Sequence, residues 1–520
     1  MSDAIDTQRR LIEALKHPGA YPHPVTGVEE VQTHISTVLL TGDYAYKLKK
    51  PLDLGFLNFA ALADRKRYCE EELRLNRRLA PSLYLDVVAF TGSPESPGFD
   101  GEGEAFEYAV KMRQFDQDTL LDRVLTRGEL SLARMEEIAD RVAVFHAGAA
   151  VAGADLPFGT SEAVYAPMAQ NFEQLAPLIT DPDQQAQLER LAAWTRARFE
   201  ELRPLLDARK REGCIRECHG DMHLGNMALI DGELAIFDGI EFNDYFRWID
   251  VMSEIAFLVM DLDDRGAHTH ARHVLNRYLE RSGDYEGLRL LRFYQVYRAM
   301  VRAKVSSIRL SQGGLSDEER ARILKAYQGY ADLAEHYTTL HRPGIAITYG
   351  LSGSGKTTVS QALVDELGAI RLRSDVERKR LFGLSPEADS RSAVNAGIYT
   401  AEATQRTYDR LRELCGVLAE SGFLAVADAT FLKRAQRRAF ADLAGTLGCP
   451  FLVLKLSVDN AELRRRVVAR AQQGGDASEA DLAVLEQQFA SREPPEGEAV
   501  LSLRSGEDLP LAILRERLGQ

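Results

Sequence analysis

The sequence predicts an α+β domain followed by an α/β domain with a parallel sheet, and three observations support this. The 520 residues suffice for two or three domains with buried cores. Residues from about 130–211 and 285–341 show the apolar periodicity of helices. The stretch 341–344 (HRPG) then breaks the helix, and alternating strands and helices follow. We therefore predict one domain over 1–340 and another over 344–520.

The composition is typical of a soluble protein, with 45% hydrophobic and 27% charged residues. The first residues contain no apolar segment of a signal peptide, and no apolar run approaches 18 residues. Five scattered cysteines fit a reducing compartment. We expect a cytoplasmic protein without a membrane partner.

The net charge of −14 disfavours nucleic-acid binding by the whole surface. Most of the surplus acid lies before residue 344. A nucleic-acid partner therefore stays open only for the C-terminal domain.

The segment Gly350–Thr358 (GLSGSGKTT) matches G-x-x-x-x-G-K-[ST], with an apolar strand before it and a helix after it. Glycines let backbone N–H groups turn towards phosphates, and the helix N-terminus favours negative charge. Lys356 is expected to reach the β/γ-phosphates, and the Thr357 hydroxyl to bind Mg²⁺. The predicted nucleotide-binding residues here are Gly350, Ser352, Gly353, Ser354, Gly355, Lys356, Thr357 and Thr358.

Two further strand ends carry acidic residues. Asp375 and Arg378 follow the second predicted strand at a spacing of one helical turn, where a carboxylate could take a proton and a guanidinium could bind phosphate. A solvated helix cap is the alternative. Asp428 ends the next buried strand and is predicted to hold the Mg²⁺ shell.

Arginines precede a Gly-Gly loop at residues 474–475. A lid over ATP would supply such charge, and Arg466 and Arg470 are the predicted nucleotide contacts. An exposed charged helix is the alternative interpretation.

By these residues the C-terminal half resembles the P-loop phosphotransferases grouped with gluconate kinase, zeta toxins and polynucleotide 5′-kinases. The stretches SDVER and VADATF carry the resemblance, together with the P-loop itself. It implies an ATP-binding domain over roughly 344–515.

The stretch HGDMHLGN, His219 to Asn226, has the spacing of a kinase catalytic loop. Asp221 is predicted to accept the proton of an acceptor hydroxyl, and Asn226 and Asp238 to bind Mg²⁺. His219 is expected to form a structural hydrogen bond.

This motif resembles the aminoglycoside and choline phosphotransferases, which are kinase-like proteins. The resemblance implies a kinase-like fold over about 25–340 and a lysine paired with a helix glutamate. Lys47 and Glu72 are the candidates, with Lys49 and Glu71 as alternatives. No glycine-rich phosphate loop precedes Lys47.

Both resemblances together match bacterial two-domain proteins in which an aminoglycoside phosphotransferase-like region is fused to a P-loop (AAA-type) region. The leading interpretation is a bifunctional kinase that uses ATP and Mg²⁺ on small-molecule hydroxyl acceptors. The alternatives are a P-loop NTPase regulated by a catalytically silent kinase-like domain and, least favoured, a polynucleotide 5′-kinase. The sequence does not identify the acceptors or the oligomeric state.

Overall fold

The computed structural model describes residues 2–55, 57–311, 315–386, 388, 397–473, 481–504 and 506–520. These residues form two compact units. The first comprises Met1–Arg134, Val144–Asp261 and Tyr297–Gln328, and the second comprises Met135–Ala143, Leu262–Val296 and Gly329–Gln520. The second unit thus includes residues well before 340. The predicted domain boundary at 340–344 stays a prediction, because a compact unit need not be one continuous segment.

Short strands and long helices alternate before residue 344. The strands are β1 (Glu29–Gln32), β2 (Ser36–Leu40), β3 (Tyr44–Lys49), β4 (Tyr84–Ser93), β5 (Ser96–Phe99), β6 (Glu107–Arg113), β7 (Ile215–Glu217), β8 (Met227–Ile230), β9 (Glu233–Ile236) and β10 (Trp248–Asp250). The helices are α1 (Ser2–Leu15), α2 (Leu62–Asn76), α3 (Leu121–Thr126), α4 (Leu132–Gly148), α5 (Ser161–Leu175), α6 (Pro182–Arg211), α7 (Asp244–Arg247), α8 (Val251–Asp264), α9 (His268–Ser282), α10 (Leu288–Ser307) and α11 (Asp317–Thr339). The predicted helical stretches correspond to α4–α6 and α10–α11.

An antiparallel sheet in the order β1-β2-β3-β6-β4-β5 begins the first unit. Successive side chains of a strand point to opposite faces, so Lys47 and Lys49 share one face of β3 while Tyr46 and Leu48 share the other. Tyr46 and Leu48 pack against apolar residues of α1, including Leu11. Helix α2 contacts β4 and β6 and meets the lysine face.

A β8–β9 hairpin brings two acidic segments of the first unit to the same end. Met227 pairs with Ile236, so the residues before β8 and those after β9 are neighbours. Asp221 lies before β8 and Asp238 after β9. The hairpin therefore accounts for the proximity that the kinase-like spacing requires.

The remaining residues alternate strands with helices. The strands are β11 (Gly344–Tyr349), β12 (Ile370–Arg373), β13 (Leu424–Asp428), β14 (Phe451–Ser457) and β15 (Val500–Arg504). The helices are α12 (Lys356–Leu367), α13 (Ser374–Leu381), α14 (Ala401–Glu420), α15 (Arg434–Leu447), α16 (Asn460–Gln473), α17 (Leu482–Ser491) and α18 (Leu511–Leu518).

These five strands form a parallel sheet in the order β12-β13-β11-β14-β15. All six residues of the central β11 are buried, as expected for a parallel sheet covered on both faces. The P-loop follows β11, Asp375 follows β12 and Asp428 ends β13. The predicted fold class, a kinase-like α+β part followed by an α/β P-loop part, is confirmed.

Helix α9 covers the outer edge of β12 within the second unit. The Nδ2 of Asn276 donates to the carbonyl of Ala369 at 3.1 Å, and its Oδ1 accepts from the backbone N–H of Arg371 at 2.8 Å. The side chain thus replaces a neighbouring strand, because these are the groups that a further ladder would pair. His273, one turn earlier, contacts Asp365 of α12 at 2.7 Å.

None of the helices in the described ranges combines the length and the apolar character that a membrane-spanning helix needs.

Substitution Asn276→Ala is expected to lower the free energy of unfolding of the second unit by about 1–3 kcal/mol, because it leaves two backbone groups of β12 unpaired. Urea denaturation monitored by circular dichroism measures the loss. Asn460→Ala, at an exposed asparagine of the same unit, is the control. Equal effects of the two substitutions would contradict the role assigned to Asn276.

Candidate active sites

The loop 219–226 of the first unit is held by buried polar side chains. Glu254 of α8 is fully buried, and its Oε1 accepts from the backbone N–H groups of His219 at 2.7 Å and Gly220 at 2.6 Å. Its Oε2 lies 2.8 Å from Nε2 of His146. Arg298 donates to the carbonyl of Gly220 at 3.0 Å. The backbone is therefore held on both sides immediately before the predicted base.

Gly220 is required by this packing. Its φ is +90°, in the region that favours glycine. A Cβ here would lie 2.7 Å from the carbonyl oxygen of Phe246. The Nε2 of His219 donates to the carbonyl of Phe237 at 2.8 Å, which is the structural hydrogen bond expected from the sequence.

Three potential metal ligands meet behind this loop. The ligand atoms of His146, Cys218 and Glu254 lie within 4.8 Å of one another, and all three residues are buried. Both oxygens of Glu254 already have hydrogen-bond partners, and burial raises the pKa of the Cys218 thiol well above its ordinary value. We interpret the cluster as support for the loop.

Asp221 is the carboxylate that the loop presents. The Nδ2 of Asn226 donates to its Oδ2 at 3.1 Å, and His223 lies 3.5 Å from the same oxygen. Burial alone would raise the pKa of Asp221. Neighbouring positive charges outweigh burial and lower it, and these belong to His223, His219 and Arg302. Asp221 is therefore ionised at neutral pH and can accept a proton.

The structure brings Lys47, Glu72 and Asp238 together. The Nζ of Lys47 lies 2.8 Å from Glu72 and 2.5 Å from Asp238. Asp238 has a φ of +63° and a half-exposed side chain, so it stands at the surface of the cleft. Burial alone would raise the pKa of Glu72, but Lys47 and Lys49 lower it to about 2.

The two alternative residues have different partners. Lys49 is fully buried and pairs with Glu72 at 2.6 Å and with Glu241. Glu71 instead pairs with Arg74 at 2.6 Å and Arg247 at 3.0 Å. Glu72 therefore serves both lysines, and Glu71 serves neither of them in these contacts.

The P-loop connects β11 to α12 in the second unit. Gly353 and Gly355 have φ values of +81° and +90°. A Cβ at Gly350 would lie 2.4 Å from the Oγ of Ser354, so the turn admits only glycine there. Helix α12 begins at Lys356, which puts its N-terminal N–H groups beside the loop.

Polar side chains of the P-loop are available to an anion. The Nζ of Lys356 donates to the carbonyl of Leu351 at 2.9 Å. Ser354 is 2% exposed, and its Oγ has no hydrogen-bond partner among the described residues. Thr357 and Thr358 are exposed at the start of α12. A phosphate could engage each of these groups.

Asp375 and Arg378 lie on α13 directly after β12. Arg378 is 7% exposed, donates to the carbonyl of Ile398 at 2.9 Å and lies over the ring of Tyr399. Burial raises the pKa of Asp375, and the charges of Arg378 and Arg373 oppose this rise. The pair thus places a carboxylate of raised pKa near a buried cation.

Asp428 and Thr357 approach the same helix turn. Asp428 is 6% exposed, and its Oδ2 accepts from the Oγ of Ser360 at 3.0 Å. Ser360 in turn donates to the carbonyl of Thr357 at 3.1 Å. Asp428 therefore lies close to the start of α12.

The arginines predicted for a lid lie on α16. The Nε of Arg466 pairs with Glu462 at 2.7 Å, and its NH1 lies 3.5 Å from the carbonyl of Gly353 in the P-loop. Arg470 belongs to the same helix, but its side chain lies outside the described residues.

The residues present suit a nucleotide and a divalent cation. In the second unit the buried Oγ of Ser354, the ammonium of Lys356 and the N-terminus of α12 favour phosphate, while Thr357 and Asp428 offer oxygen ligands. In the first unit Asn226 and Asp238 offer an amide and a carboxylate oxygen. Hard cations such as Mg²⁺ prefer oxygen ligands of this kind.

Several supporting residues were not predicted from the sequence: Glu241, Glu254, His146 and Arg298. Glu254 was the most detectable, since it is an acidic residue in the otherwise apolar stretch IAFLVM and its N-terminal flank. The others are separated from their partners by 70 or more residues, and no local pattern indicates them.

Comparison with known proteins supports the assignment of the C-terminal half. Residues 345–495 match the family model described as an AAA domain. The second unit therefore contains a P-loop nucleotide-binding domain, as the resemblance of the motifs implied. Uncharacterized proteins of Mycobacterium tuberculosis and Mycobacterium bovis are each 29% identical over 466 residues, which are 88% of this chain and 89% of theirs.

Solved structures similar to parts of the chain include kinases. A choline/ethanolamine kinase family protein from Mesorhizobium loti covers 64% of this chain and 97% of its own, with 13% identity and a TM-score of 0.40. A gluconokinase from Sinorhizobium meliloti covers 34% of this chain and 91% of its own, with 23% identity and a TM-score of 0.24.

Proposed function

We propose that the protein is a bifunctional phosphotransferase that moves the γ-phosphate of Mg-ATP to hydroxyl groups of small molecules. One reaction would take place in each unit. The observation that carries the proposal is that each unit combines a carboxylate suited to act as a base with a lysine suited to bind phosphate. These are Asp221 and Lys47 in the first unit, and Asp375 and Lys356 in the second.

In the first unit Asp221 would accept the proton of the acceptor hydroxyl, since its neighbours keep it ionised. Lys47 would exchange its contact with Asp238 for one with the nucleotide phosphates, while Glu72 keeps the lysine oriented. Asn226 and Asp238 would then hold a divalent ion, which supplies positive charge to the phosphate oxygens when bound.

In the second unit the P-loop N–H groups and Lys356 would bind the phosphates, with Thr357 and Asp428 as cation ligands. Asp375 would take the acceptor proton, because a raised pKa brings a carboxylate nearer to the strength of an effective base. Arg378 would stabilise negative charge beside it.

A second candidate is a P-loop NTPase regulated by a kinase-like part that binds a ligand without catalysis. Two observations favour it: Lys47 occupies Asp238, and β3 is not preceded by a glycine-rich phosphate loop. We favour the bifunctional enzyme, since Asp221 and the residues that hold its loop retain a productive arrangement. A cytoplasmic location and small-molecule acceptors belong to this proposal; a net charge of −14 disfavours a polynucleotide acceptor.

Incubation with γ-labelled ATP, Mg²⁺ and a bacterial small-molecule extract tests the proposal. The wild-type protein is expected to label acceptors, and Asp221→Ala and Lys356→Ala are expected to abolish different labelled products, each by at least about 100-fold. Thin-layer chromatography separates the products from free phosphate.

The two candidate functions give different results in this assay. Label that appears only in free phosphate, and is lost only in Lys356→Ala, would favour the regulated NTPase. ATP turnover that both variants retain in full would exclude both functions.

The two lysines of β3 are expected to differ in role. Lys49→Met removes the partner of the buried Glu241 and should lower the free energy of unfolding of the first unit by about 3–5 kcal/mol. Lys47→Met should cost less stability, since Glu72 keeps Lys49, but it should abolish Asp221-dependent labelling. Guanidinium denaturation and the labelling assay measure the two effects. The reverse order of stabilities would make Lys49 the nucleotide ligand.

A further inference from the structure

We infer that Gln488 of α17 is a positioning residue that holds the P-loop in the shape required for phosphate. The inference rests on the proposed nucleotide binding by the second unit. The Oε1 of Gln488 accepts from the backbone N–H of Ser352 at 2.9 Å, and its Nε2 donates to the Oγ of Ser352 at 3.0 Å. One side chain thus satisfies both polar groups that Ser352 offers on this side of the loop.

The P-loop needs such support because its own residues are conformationally free. Gly350, Gly353 and Gly355 lack side chains, and two of them adopt left-handed backbone conformations. Ordering glycine-rich backbone costs conformational entropy, which would be lost from the affinity for nucleotide if it were ordered only on binding. A fixed hydrogen-bond partner for Ser352 orders the loop beforehand.

Helix α16 supports the neighbouring residue of the loop. A Cβ at Gly353 would lie 3.3 Å from the carbonyl of Leu463 and 3.3 Å from a methyl group of Val467. Arg466 also approaches the Gly353 carbonyl, at 3.5 Å. The outer rim of the P-loop is therefore packed by α16 at Gly353 and hydrogen-bonded by α17 at Ser352.

The position of Gln488 is itself fixed at the end of α17. The Nζ of Lys433 donates to the carbonyl of Ser491 at 2.8 Å, and Glu493 accepts from the backbone N–H of Arg434 at 2.8 Å. Residues 433–434 follow the strand that ends in Asp428. Gln488 consequently ties the P-loop to the segment that follows Asp428, the predicted cation ligand.

ATP binding to the full chain, measured by calorimetry, tests the inference. The heat that disappears in Lys356→Ala defines binding at the P-loop. Gln488→Ala is expected to weaken this binding by about 10-fold, because it removes two hydrogen bonds from the loop. In turnover assays KM for ATP should rise while kcat stays within about twofold, which a general loss of folding would not produce. Gln487→Ala, at the exposed neighbouring glutamine, should match the wild type.

Hydrogen exchange of the nucleotide-free protein gives an independent measurement. The peptide that covers residues 350–358 should exchange faster in Gln488→Ala than in the wild type, while peptides from the central strand β11 remain unchanged. Gln488→Glu should keep the loop protected, since the Ser352 hydroxyl can donate to the carboxylate, yet it should weaken ATP binding through charge repulsion.

The outcomes separate this inference from the proposed function. Unchanged exchange at 350–358 together with unchanged ATP affinity in Gln488→Ala would overturn the role of Gln488. A wild-type protein without any Lys356-dependent binding would instead refute nucleotide binding by the second unit. In that case faster exchange at 350–358 still supports the loop contact, and unchanged exchange still overturns it.

Discussion

The buried carboxylate of Glu72 is the interaction on which the first unit depends. An isolated anion at such a depth would be strongly destabilising, and two ammonium groups from adjacent positions of one strand face remove this cost. The contact fixes α2 against β3. Through Lys47 and Lys49 it also fixes Asp238 and Glu241, which arrive from almost 200 residues further along the chain. The cleft is thus defined by charge as much as by apolar packing.

The second unit uses another means to prepare a place for negative charge. Its P-loop relies on backbone N–H groups and a helix N-terminus, with one lysine, and its neighbouring side chains act on the loop backbone rather than on each other. The first unit brings charged side chains together from distant segments. The two arrangements have in common that polar residues outside the site hold the reactive groups in place, as Glu254 does for loop 219–226 and Gln488 does for Ser352.

The sequence was sufficient for those parts of the molecule whose chemistry is local. The P-loop and the loop 219–226 are continuous motifs, so their residues and their flanking elements could be predicted directly. Strand alternation placed Lys47 and Lys49 on one face, but it could not show that Glu72 would bind both. The partners Glu254, Gln488 and Asn276 could not be predicted, because each meets its partner through tertiary packing across 34 to 136 residues.

The cover that α9 provides for β12 has a consequence for the order in which the protein is made. The helix precedes the strand by about 90 residues, so it leaves the ribosome first. An unpaired strand edge is a template for pairing with another chain, and nascent chains are crowded on a polysome. Since Asn276 is already synthesised when Ala369 and Arg371 emerge, the edge meets its own cover before it meets a neighbouring nascent chain. The position of α9 in the sequence, as well as its position in space, therefore protects the parallel sheet during translation.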